Sequence, residues 1–285
     1  SLVYDYGSSQ ISVPVVLDAF PQWDSPIGDD DNELFSILRE FVANAHDADR
    51  DFSVEVVEAP SPQYVLAAPG ETIVYLADQP EFEAIRNARE RYFKFWCQNA
   101  SEPLLRVPGK GVIYPKSDTD LTRIFVRGLL RDCQDVPSAF DYSLQNRELV
   151  AEEGYIKNDI AVRRHLLALF SAVTDVKIAK EILRTAMMVA YPPPLEASAF
   201  SEVRQEDEAL PSEVAAAFKK AWEELNGTNA FFAADTKTLE LARAKGATVI
   251  FVGSDGMRKW LAKCGMASAE AYVALSASAQ SAIHE

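Results

Sequence analysis

The chain has 285 residues, of which 48% are hydrophobic and 25% charged, and its formal net charge is −15. That length supports a well-buried core, with room for two units, and no apolar run is long enough to cross a bilayer. An acidic surface of this kind repels phosphate backbones and anionic lipids, which sets aside nucleic acid and membranes as direct partners. Three widely spaced cysteines, Cys97, Cys133 and Cys264, form no disulfide or zinc framework. A reducing, cytoplasmic setting is the expectation.

Residues 1–31 hold a short apolar segment over 11–20 and an acidic, turn-rich stretch ending in Asp29, Asp30 and Asp31. Asp31 or Asn32 then caps a helix predicted over 34–50. On that helix Glu40, Asn44 and Asp47 follow at spacings of four and three, so they form one stripe. Leu34, Ile37, Leu38, Phe41, Ala45 and Ala48 recur on the neighbouring face, the pattern of a helix packed on a core. A stripe of this sort is commonly no more than a solvated face, but such faces carry Lys and Glu. Asn is a poor helix former, and at mid-helix it needs a reason. Carboxylate, amide and carboxylate in a row can ligate a hydrated metal ion, and Glu40 can activate water. A metal phosphohydrolase site around His46 and Asp47 is disfavoured, because His165 and His284 are the only other histidines.

Beyond residue 50 the pattern is that of strands, predicted over 52–58, 64–67 and 71–77, with a Pro-Gly turn before the last. A helix is predicted over 81–96, with Phe82, Tyr92, Phe93 and Trp96 along it as core. A turn at 108–111 separates it from strands over 112–114 and 123–130. Helices are predicted over 159–173 and 175–189, with Asp159 and Thr174 as caps. Pro192, Pro193 and Pro194 end the second helix. With the acidic loop 201–209 they mark a linker over 192–210, dividing a domain 1–191 from a smaller unit 211–285. That unit alternates helix 212–225, strand 230–234, helix 236–245, strand 248–252 and helix 255–264. Gly227, Gly246 and Gly265 stand just past the helix ends. Its two strands are expected to be parallel, and a packing or protein-partner role is its default.

The order Glu40-x-x-x-Asn44-Ala-x-Asp47-Ala resembles the N-box of the GHKL, or Bergerat-fold, ATPase superfamily. The resemblance implies an α+β fold, a Bergerat-type sandwich with helices on one face of a mixed sheet and nucleotide between them. It implies ATP and Mg²⁺ as ligands. Glu40 would then polarise the attacking water, Asn44 would offer its oxygen to Mg²⁺, and Asp47 would hold ordered water near the phosphates. Arg50, one turn on, would pair with a phosphate oxygen. The second family motif, Asp-x-Gly-x-Gly, is absent. Its positional equivalent is Asp78, expected to read the adenine amino group, but Gln79 and Pro80 follow where glycines belong. The helix 81–96 takes the place of the lid. Lys110, between Gly109 and Gly111, and Lys116 stand in for the missing phosphate-contacting lysine. The runs at 123–130 and 140–144 are similar to segments of phage and bacterial proteins with heat-shock-chaperone-like ATPase domains. A slow Mg-dependent ATPase or nucleotide switch is therefore expected, and the alternative is a degenerate member acting as a non-catalytic interaction module.

Overall fold

The structure is a computed structural model whose described residues are 2–6, 9–13, 94, 102–117, 121–151, 156–204 and 208–283. It divides into two compact units, Ser1–Arg89 and Glu90–Glu285. In the first, strands β1 (Leu2–Tyr6) and β2 (Ser9–Val13) pair antiparallel, with Leu2 opposite Val13 and Tyr6 opposite Ser9. The expected helix 34–50 and the strands expected between 52 and 77 lie outside the described residues. So does the expected helix 81–96 apart from Lys94, which sits in a bend.

The second unit is mixed α+β. Its sheet has five strands: β3 (Leu105–Val107), β4 (Gly111–Pro115), β5 (Thr122–Val126), β6 (Leu129–Gln134) and β7 (Phe140–Leu144). They lie in the order β3-β4-β7-β5-β6, antiparallel throughout except for the parallel pair β5–β7. The expected single strand over 123–130 is in fact the β5–β6 hairpin. Arg127 and Gly128 both take positive φ, 53° and 88°. Two such residues in a row make the tight reversal whose twist matches antiparallel strands. Apolar residues on both sides, Ile124–Val126 and Leu129–Leu130, hid that turn, since only Gly128 signalled it.

Alternation along the strands gives the sheet two different faces. Ile113, Ile124, Val126, Phe140, Tyr142 and Leu144 point to one side and join the core formed with the helices. Helices α1 (Asp159–Phe170), α2 (Val176–Ala186) and α3 (Leu195–Phe200) supply the facing residues, among them Leu166, Phe170, Ile182, Leu183 and Phe200. The α1 and α2 caps fall one residue from their expected places. Asn158 and Asp175 each accept two backbone N–H groups of the first turn, because a cap must itself be non-helical.

Helix α4 (Ser212–Asn226) leads to the parallel pair β8 (Ala230–Ala233) and β9 (Thr248–Phe251), joined by α5 (Thr236–Ala244). Helix α6 (Asp255–Lys263) and helix α7 (Ala269–Ile283) complete the chain. The alternation and the parallel pairing are as the sequence predicts.

The structure places the division of the chain elsewhere than 192–210. That stretch contains α3, whose Leu195, Glu196, Ala199 and Phe200 are buried. One core runs from Ile113 through Phe200 to Phe218, Trp222 and Trp260. A short helix behind three prolines carries too little periodicity to be seen in sequence, so a core segment reads as a linker.

Candidate functional site

Strand β7 reads Phe-Asp-Tyr-Ser-Leu, so Asp141 and Ser143 face away from the helices. Register sets Tyr114 opposite Asp141. Asp141 is fully buried, and its Oδ2 accepts from Lys94 Nζ at 3.1 Å and from Ser117 Oγ at 2.8 Å. Arg123 Nη1 donates to the same Ser117 hydroxyl at 3.0 Å. The Lys94 ammonium lies 4.9 Å from the ring centre of Phe125 and 5.3 Å from that of Tyr114. Its backbone N–H donates to Gly128 O at 2.7 Å. Burial raises the Tyr114 hydroxyl, against an opposing pull from Arg106.

A buried ion pair is costly unless its members are hydrogen-bonded and well placed. Here the cation has a carboxylate and two ring faces, each favourable for it. The cluster is therefore a fastening between Lys94 and strands β4, β5 and β7. Lys94 and Ser117 both donate to Asp141 Oδ2, while Asp141 Oδ1 is buried with no partner among the described residues.

A second polar node lies on the helix side of the sheet. Glu196 Oε1 accepts from Tyr142 Oη at 2.6 Å, Ala139 N at 2.9 Å and Ser138 Oγ at 3.0 Å. Its Oε2 is buried with no partner among the described residues. Burial pushes the Glu196 carboxyl up, with hydrogen bonds from Tyr142 and Ala139 opposing it. Tyr142 is held well above the ordinary phenol range by burial and then by the nearby Glu196 charge. The hydroxyl thus stays a donor, and the node ties α3 to the start of β7.

The surface next to α3 carries a cleft of about 110 Å³. Val136, Val162 and Leu195 line it with apolar surface, Pro192 and Pro193 wall it, and Asp159 and Arg163 stand at it from α1. It is small beside the several hundred Å³ usual for a bound organic ligand.

Among the residues expected from sequence, Glu40, Asn44, Asp47, Arg50 and Asp78 lie outside the described residues. Lys110 is described, half-buried in the β3–β4 turn. Its N–H donates to Val107 O and its C=O accepts from Gln145 N, so the backbone fixes the turn. Lys116 donates from Nζ to Ser138 O at 3.0 Å and serves the loop before β7. Burial pushes the Cys264 thiol up to about 12, whereas His165 is engaged by Ala161 O and Asn146 Nδ2. Among the described residues no group of three or more His, Cys, Asp or Glu side chains is placed to hold a metal ion.

Sequence reasoning missed Lys94, Asp141 and Glu196. An acid alternating with apolar residues in a strand reads as a wet face, and an acid in the first turn of a helix reads as favoured by the helix dipole. No helix among the described residues is long and apolar enough to cross a membrane. No protein-family profile matches the chain, and no curated protein or solved structure is significantly similar to it.

Proposed function

We propose that the chain is an ATP-binding protein of Bergerat type that hydrolyses ATP slowly with Mg²⁺. What supports this reading is the sequence spacing of Glu40, Asn44 and Asp47, four and three residues apart, which on a helix would set them on one face beside the apolar residues. Arg50 and Asp78 belong to the same reading, one for a phosphate and one for adenine. All five fall in the compact unit Ser1–Arg89. Glu40 orients the attacking water and Asn44 gives Mg²⁺ an oxygen ligand, so catalysis rests on positioning and charge neutralisation. Pro80 after Asp78 stiffens the segment where the superfamily is glycine-rich. Slow turnover follows from a site that closes poorly and keeps water.

Titration calorimetry of the full chain with Mg·ATP tests the reading. Expected are binding by the wild type, binding without turnover for Glu40→Ala, and loss of the Mg²⁺-dependent part of binding for Asn44→Ala. Absence of any heat or turnover at millimolar nucleotide ends it. The missing Asp-x-Gly-x-Gly motif favours a second reading, a non-catalytic interaction module. A ligand at one hundred times its dissociation constant stabilises a fold by about 2.7 kcal/mol. No thermal shift with any nucleotide selects that second reading.

A further inference from the structure

The loop from α2 to α3 presents exposed, uncharged surface. From Met187 to Leu195 the sequence is Met-Met-Val-Ala-Tyr-Pro-Pro-Pro-Leu, without one charge in a chain of net charge −15. Val189 and Tyr191 are fully exposed, at 105% and 100%, and Met188 is 52% exposed. Ile160, in the first turn of α1, is 46% exposed. Three prolines limit how far this loop fluctuates, so its apolar side chains are offered to water with little ordering entropy left to lose. Apolar exposure gathered in one place marks an interaction surface, unlike apolar residues scattered singly.

The adjoining cleft says what covers it. Its lining is mainly apolar, with Gln134 and Ser198 the uncharged polar members, and it carries one carboxylate and one guanidinium, Asp159 and Arg163, both from α1. They are four residues apart and so share a helix face. Neither makes a hydrogen bond or ion pair through its side chain with another described residue. One acid and one base side by side are self-complementary under a two-fold axis, because each then meets the opposite charge on an identical surface. A foreign partner would need a matching acid and base in the same spacing, which a second copy supplies by symmetry.

We infer that this face, the α2–α3 loop with its cleft, is a homodimer interface in which Asp159 meets the partner's Arg163 and Tyr191 packs on the partner's cleft. The contact is isologous: each copy gives an aromatic anchor and receives one. Apolar burial of Tyr191, Val189 and Met188 supplies the association, and the crossed charges set the register. The inference is independent of the nucleotide reading.

Sedimentation equilibrium of the full chain at micromolar concentration tests it. The wild type is expected to be dimeric. Arg163→Asp sets two acids against two acids, and the dissociation constant should rise by about tenfold or more. The double exchange Asp159→Arg with Arg163→Asp restores the crossed pairs and should return the constant close to wild type. Tyr191→Ser should weaken the dimer in either charge background. A monomeric wild type overturns the proposal, and so does a dimer that Arg163→Asp and Tyr191→Ser leave unchanged. Failure of the double exchange to rescue also overturns the crossed register.

Discussion

Glu196 shows how one side chain links pH to the fold. Its carboxyl is buried with no ion pair among the described residues, so removing it from water disfavours the charged form. A proton is therefore held more tightly in the folded chain than in the unfolded one. The stability that this contributes is complete below the ordinary glutamate value and is lost as pH rises through the raised folded value. Glu196→Gln keeps an oxygen to accept from Tyr142, Ser138 and Ala139 but cannot ionise. Urea midpoints of wild type and variant are expected to converge at the acid end of that window and to separate, with wild type losing ground, as pH rises. A difference that stays constant with pH would mean that the buried carboxyl titrates as an ordinary one. Asp141 is buried as fully as Glu196, and it faces Lys94 at 3.1 Å.

At the scale of elements, close backbone approach fixes how α6 lies on α3. A Cβ built on Gly256 would overlap the Phe200 carbonyl oxygen, which belongs to the rigid end of α3 and cannot swing aside. Gly256→Ala should cost about 2 kcal/mol, as overpacking does. Gly253→Ala makes the control, since its methyl group meets only the Phe251 ring at 3.5 Å. Calorimetric melting of the two variants checks the ranking, and equal melting temperatures would refute it. Elements of this kind were legible in the sequence in proportion to their period. Helices α1, α2, α4, α5 and α6 and strands β8 and β9 stand where apolar spacing and end glycines place them. Strand β3, helix α3 and the Arg127–Gly128 reversal were not legible, because each is too short to show a period or is masked by apolar neighbours. The polar nodes were hidden for a different reason. Burial of Asp141 and Glu196 depends on which surfaces the fold brings together, and that is not a local property.

For the molecule as a whole, the question is where it can be cut. The sequence favours 192–210, whereas the compact unit runs over Glu90–Glu285. A fragment ending at residue 210 loses Phe218, Trp222 and Trp260 from the core. Deleting one large buried aromatic side chain costs about 3–5 kcal/mol, against a net stability of about 5–15 kcal/mol for a typical domain. Fragments 1–210 and 211–285 are thus expected to melt without cooperativity, while 90–285 shows a single cooperative transition by circular dichroism. A cooperative melt of 211–285 alone would restore the boundary read from sequence. Glu40, Asn44 and Asp47, on which the proposed chemistry rests, belong by sequence to Ser1–Arg89.

Inside Glu90–Glu285 the aromatic rings form an unbroken file. Phe140 is followed by Tyr142 at 6.3 Å, Phe170 at 5.9 Å, Phe200 at 5.6 Å and Trp260 at 5.2 Å, and Phe218 closes on Trp260 at 5.1 Å. The file begins in the sheet and ends among the last helices. Two rings, Phe170 and Phe200, stand between Tyr142 and the Trp260 indole. Parting the sheet from the helices would break that file between Tyr142 and Phe170.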